Sequence, residues 1–199
     1  MGKFKNLVVD CFVNKEHGCN LPIIPGGRER KIVEKTFDRV KDLYFDGKPD
    51  WTKKEVREAF WGIFNTELKL SMMEQFNPDY INSACKDNKD RGGTLSTIDE
   101  AILLIKLGQT GDKGKLKAIV YNALAPYIVK YEAILNNPAK ASDHRLGYLI
   151  AVLDHIGTLS DDQLQQIKED HQKGTPKTKI QAQYFPQDRE FLQKRSESL

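Results

Sequence analysis

The chain has 199 residues, 39% of them hydrophobic and 30% charged, with a formal net charge of +3. That length and balance suit one globular domain, exclude a polybasic nucleic-acid binder, and contain no apolar run of the roughly 20 residues that span a bilayer. Three cysteines, an odd and small number, argue against a disulfide framework and for a reducing compartment. The basic start Met1-Gly2-Lys3-Phe4-Lys5-Asn6 leads into too short an apolar run for a signal peptide, and Asn6 stands where a myristoylation signal needs Ser or Thr.

Residues 7–13, Leu-Val-Val-Asp-Cys-Phe-Val, are rich in β-formers and predict a buried strand. Residues 14–27, with two glycine-proline clusters, predict a loop. Cys11, His17 and Cys19 lie close together there, but the spacing fits no common zinc pattern and a fourth ligand is missing, so no metal site is expected. Residues 28–45 predict an amphipathic helix with Ile32, Val33, Phe37, Val40 and Tyr44 inward. Its cations Arg28 and Arg30 read either as a solvated surface or as groups brought towards an anion pocket by the turn before them.

After the turn Gly47-Lys48-Pro49-Asp50, Thr52 and Glu55 have the spacing of a capping box. The helix that follows should run to about Glu67, with Val56, Ala59, Phe60 and Ile63 inward, and residues 68–76 either extend it or form a second one. Asn77-Pro78 breaks it. Residues 79–84 can run as a short strand, and residues 94–107 predict a helix with Leu95, Ile98, Ile102 and Ile105 inward, ended by Gly108.

Between that strand and that helix lies Cys85-Lys86-Asp87-Asn88-Lys89-Asp90-Arg91-Gly92-Gly93. A tight loop opening into a helix N-terminus gathers backbone N–H groups and adds the positive end of the helix dipole, which suits a phosphate. The same field would hold a cysteine at its base as the nucleophilic thiolate. An arginine there can grip phosphate oxygens in bidentate fashion. The bland alternative is a cysteine acting as a small buried hydrophobe.

Further on, residues 115–135 predict an apolar-faced helix that Pro126 should kink. Ser142 caps a helix with Leu146, Leu149, Ile150, Leu153 and Ile156 inward, stopped by Gly157. Ser160 and Gln163 form a second capping box, with Leu159 and Leu164 spaced as a hydrophobic staple. That helix ends near His171. A basic, turn-rich stretch follows, in which residues 179–184 can form a short strand, and residues 188–194 predict a last helix.

The stretch from Cys85 to Gly93 resembles the C-x5-R loop of cysteine-dependent phosphatases, and within them the branch directed at inositol phosphates and lipids. Lys86 and Lys89 resemble the lysines of inositol phosphatases that read several phosphates at once. Asp87 and Asp90 resemble the C-x-D-x-x-D-R form of Sac-type and myotubularin-type phosphoinositide phosphatases. With Gly92-Gly93 added, the likeness is to the SidF-like phosphoinositide phosphatase effectors of intracellular bacterial pathogens. It covers about 25 residues, one strand–loop–helix unit.

The resemblance implies a helix-rich α/β fold: a strand–loop–helix catalytic unit on a small sheet, followed by several C-terminal helices. The whole chain, 1–199, would be one phosphatase-like domain, or part of a longer protein, with a catalytic core at 1–108, its loop at 85–91, and a helical part at 109–199. It implies hydrolysis of a phosphomonoester on the inositol ring through a phosphocysteine, with the 3-position favoured. A soluble inositol polyphosphate as substrate, or a module that holds phosphate without cleaving it, are the alternatives. Cys85 would be the nucleophile, Arg91 would hold the phosphoryl oxygens, and Asp87 would protonate the leaving alkoxide, with Asp50 as the other candidate acid. Lys86, Lys89, Asn88, Asp90 and Gly92 would line the substrate pocket. No metal or cofactor is implied, and the expected partner is a phosphoinositide head group at an anionic membrane surface, met by a secreted effector in a host cytoplasm. Two departures stand out. Ala84 replaces the histidine of many tyrosine phosphatases, which points away from phosphotyrosine. Gly92 replaces a hydroxyl residue that stabilises the departing thiolate, a part that Thr94 or Ser96 would have to take.

Overall fold

The computed structural model describes residues 2–14, 27–76, 91–109 and 143–174. These hold six α-helices: α1 (Gly2–Val13), α2 (Glu29–Phe45), α3 (Lys54–Phe76), α4 (Arg91–Lys106), α5 (Asp143–Gly157) and α6 (Asp161–Gly174). No strand or sheet occurs among the described residues, so the expected α/β class is overturned in favour of a helical bundle. The expected strands at 79–84 and 179–184, the helices at 115–135 and 188–194, and the residues His17 and Cys19 lie outside the described residues.

The expected strand at 7–13 is the second half of α1. A strand would alternate, placing Leu7 and Val9 on one face and Val8 on the other. Instead Val8 and Val9 are both buried while Leu7 is 67% exposed. Phe4, Val8 and Phe12 repeat every four residues and meet the core together, the helical period. Tertiary burial here overrides a β propensity worth no more than about 1 kcal/mol.

In α2 the five expected inward residues, Ile32, Val33, Phe37, Val40 and Tyr44, are all buried. Helix α3 is one continuous helix of 23 residues, so residues 68–76 extend it. Its buried face, with Phe60, Ile63, Phe64, Leu68 and Leu70, receives α2 on one side and α5 on another. Helices α2 and α3 run antiparallel, as the pairs Tyr44–Glu67, Arg39–Glu74 and Thr36–Ser71 require. Phe60 is the hub of an aromatic cluster, with ring centroids 4.7 Å from Phe37, 4.9 Å from Trp51 and 5.5 Å from Phe45. Such offset and edge contacts add to area burial.

Helix ends follow local chemistry. The capping box at Ser160 and Gln163 is formed in both directions: Gln163 N–H donates to Ser160 Oγ at 3.2 Å and Ser160 N–H donates to Gln163 Oε1 at 3.0 Å. Leu159 and Leu164 both pack on the core, as a staple should. The box expected at Thr52 is absent. The Thr52 hydroxyl donates to Asp50 Oδ1 at 2.6 Å instead, and α3 opens two residues later, at Lys54. Gly108, at φ 67°, closes α4, with its own N–H on Ile105 O and that of Gln109 on Leu104 O, both at 2.9 Å.

In α5 Leu149, Val152 and Ile156 are buried, but Ile150 is 46% exposed, against expectation. The face is set by Gly62 of α3, where the bare backbone lets Val152 and Tyr148 approach. Val152 therefore takes the inward place. The buried residues of α1 to α4 and those of α5 and α6 belong to one core cluster. No helix among the described residues is long and apolar enough to cross a membrane.

Candidate functional site

Helix α4 begins at Arg91, the last residue of the C-x5-R run, and Gly92 lies in its first turn. The remaining site candidates, Cys85, Lys86, Asp87, Asn88, Lys89 and Asp90, lie outside the described residues. The first turn of α4 contains no acidic residue. The helix behind it is firmly held. Ile98, Ala101 and Ile102 are fully buried. Asp99 accepts a hydrogen bond from Thr66 Oγ1 at 2.8 Å and pairs with Lys69, which ties α4 to α3.

Asp50, the other candidate acid, is poorly suited to that part. Thr52 donates to its Oδ1 from both hydroxyl and backbone N–H, at 2.6 and 3.1 Å. These bonds hold its carboxyl below the usual carboxylate range, whereas a general acid must keep its proton near the working pH. Among the described residues no group of histidines, cysteines and carboxylates is arranged to hold a metal ion, and Cys11 is partly exposed on α1.

Two polar features were not foreseen from the sequence. The first is a charged chain through the core. Glu67 of α3 and Lys106 of α4 are buried almost completely. Lys106 Nζ lies 2.9 Å from Glu67 Oε1, and Tyr44 OH donates to the same oxygen at 2.6 Å. Among the described residues Glu67 Oε2 has no hydrogen-bond partner, and Lys106 Nζ is close to Glu67 Oε1 without meeting hydrogen-bond geometry. Burial and the neighbouring Glu67 push the Tyr44 phenol well above its ordinary value, so it stays a donor. Arg39 sits beside this group and donates from Nε to Asp170 of α6 at 2.6 Å. Burial works against its charge, but Glu67, Asp170 and Glu74 outweigh burial and keep it cationic.

The second is an open cleft of about 400 Å3 between α2 and the C-terminal part of α3. Arg28, Lys31, Lys35 and Arg39 line one wall, with Ile32 and Thr36, and Ser71, Glu74 and Gln75 line the other. Arg28 therefore belongs to a pocket, whereas its neighbour Arg30 pairs with Glu34 at the surface. The signal for it was in the sequence: cations at 28, 31, 35 and 39 recur at helical spacing. A polar helix face reads as solvated unless a second helix is known to stand opposite. No protein family, curated protein or solved structure matches this chain.

Proposed function

We propose that the chain is a cysteine-dependent phosphatase that removes a phosphate from the inositol ring of a phosphoinositide at an anionic membrane surface. The observation that carries this reading is the register between motif and helix. Arg91 closes the C-x5-R run and opens α4, so the run leads directly into the first turn, the positive end, of a helix whose residues Ile98, Ala101 and Ile102 are fully buried. In the reaction the Cys85 thiolate attacks phosphorus and the ester P–O bond breaks. Asp87 passes its proton to the departing ring alkoxide. Water then cleaves the phosphocysteine to inorganic phosphate and restores the thiol. Arg91 balances the charge on the phosphoryl oxygens throughout, and Lys86 and Lys89 meet a second phosphate on the ring. The favoured ring position, the 3-phosphate, and a place among secreted effectors come from the motif resemblance alone. A soluble inositol polyphosphate is the alternative substrate.

Gly92, in place of a hydroxyl residue, favours a second reading in which the loop holds phosphate without cleaving it. One experiment separates the two: phosphate release and affinity, measured on phosphoinositide vesicles for the parent and for Cys85→Ser. The enzyme reading expects release by the parent, none by the variant, and an affinity kept within about tenfold, or ~1.4 kcal/mol. Equal release by the two proteins removes the cysteine mechanism. Tight binding by both with no release supports the holding module.

A further inference from the structure

We propose that the cleft between α2 and α3 is a binding site for a small compound carrying two or more phosphates, free or as the head group of an anionic lipid. None of the residues that line the cleft belongs to the C-x5-R run.

The cleft holds four cations, Arg28, Lys31, Lys35 and Arg39, against one carboxylate, Glu74. Arg39 is half-buried, fixed by Asp170 at 2.6 Å with Glu74 4.0 Å away, and permanently charged. Arg28, Lys31 and Lys35 are exposed, and among the described residues none of the three has an ion-pair partner. Arg28 to Lys35 cover about 10 Å along the helix axis, so several phosphates can be met at once. Thr36 and Ser71, with their oxygens 3.4 Å apart, supply hydroxyls at the floor. Ile32 offers an apolar wall for a carbon skeleton.

A second observation is the electrostatic cost of this arrangement to the empty protein. Lys31 and Lys35 are like charges four residues apart, and Lys31 and Arg28 three apart, both repulsive spacings on a helix. Arg28 and Lys31 also sit at the N-terminus of α2, where the dipole disfavours cations. A polyanion in the cleft relieves both strains, which a merely solvated surface leaves standing. The two walls set its place in the fold. Because α2 and α3 run antiparallel, the cleft lies at the end of α3 that leads on to residue 77.

The test uses the full chain carrying Cys85→Ser, so that no probe is consumed. Binding of inositol trisphosphate is measured by calorimetry, and binding of phosphatidylcholine vesicles with and without phosphatidylinositol bisphosphate by sedimentation. The cleft variant is Arg28→Ala, Lys31→Ala, Lys35→Ala. The charge-matched control is Lys3→Ala, Lys48→Ala, Lys53→Ala, at the other end of α2. Helix content by circular dichroism confirms the fold of each. The cleft variant should weaken binding about tenfold or more and raise the melting temperature, while the control should bind within about twofold of the parent. A loss confined to the vesicles identifies a lipid head group, and a loss confined to the trisphosphate a free ligand. The proposal is overturned if the parent binds neither probe, if the cleft variant binds as the parent does, or if the control loses as much. It is equally overturned if Arg91→Met abolishes binding while the cleft variant keeps it, since the ligand then sits at the loop.

Discussion

Glu67 and Lys106 are two charges taken out of water and placed against each other. Desolvation of such a pair roughly cancels its attraction, so its net worth against an apolar pair of the same shape is near zero. Removing one partner is different, because it strands the other charge in the core. Lys106→Met should therefore destabilise the protein by about 3–5 kcal/mol, and Glu67→Gln by a similar amount, in urea unfolding. The double variant should come back to within about 1 kcal/mol of the parent, since Tyr44 can still donate to the amide oxygen. Additive single losses would mean that the two groups do not act as a pair. Neither residue could be picked from the sequence. A Glu and a Lys in helices read as solvated, and what buries them is a contact between residues 39 positions apart. The apolar partners of the same core were legible because they follow the helical period. Of the C-x5-R run and the Gly92-Gly93 pair after it, Arg91, Gly92 and Gly93 fall among the described residues, in the first turn of α4.

At the scale of elements the telling cases are α1 and α5. In α1 the structure has a helix where the local pattern predicts a strand, and in α5 the inward face differs from the predicted one at Ile150, both because the pattern carries no information on the neighbouring helix. In α1 the β-branched run sits on the face that Phe60 and Phe64 of α3 receive through Phe4 and Phe12, with centroids 5.7 and 5.5 Å apart. In α5 the inward face is shifted by Gly62. A Cβ there would stand 2.4 Å from Val152 Cγ2 and 3.1 Å from the Tyr148 oxygen. Gly62→Ala should gain up to about 1 kcal/mol of helix propensity, and lose about 1–3 kcal/mol to overpacking. The packing cost should win, because a clash of that depth forces α5 away from a fully buried face. Unfolding free energy is expected to fall, and Val152→Ala in the same chain to restore most of it. If Gly62→Ala alone raises stability, the approach of α3 and α5 is looser than described.

Across the whole molecule, helices distant in sequence are joined by polar ties as well as by the shared core. Arg39 of α2 reaches Asp170 of α6, and His155 of α5 meets the end of α2. His155 Nε2 lies 2.8 Å from the Tyr44 carbonyl and its ring stacks on Phe45 at 4.0 Å. A carbonyl only accepts, so Nε2 carries the proton. Burial lowers the His155 pKa, with the Tyr44 carbonyl opposing only in part. Burial and Lys106 lower that of His171. Well above the ordinary histidine value both rings are uncharged, folded or unfolded. As pH falls through the ordinary histidine value, about 6.5, the unfolded chain takes up protons that the folded chain still refuses. Stability is thus present above that value and lost below it. Each ring contributes at most about 1.4 kcal/mol per pH unit, and less where water reaches it. Between about pH 7 and about pH 5.5, above the range where carboxylates titrate, the urea midpoint should therefore fall. His155→Gln, whose amide can still donate to the Tyr44 carbonyl, should be less stable at pH 7 through loss of stacking, and should show a shallower fall. An unchanged slope in that variant would show that His155 takes up its proton in the fold as freely as in the unfolded chain, and the α2–α5 tie would then not depend on a neutral ring.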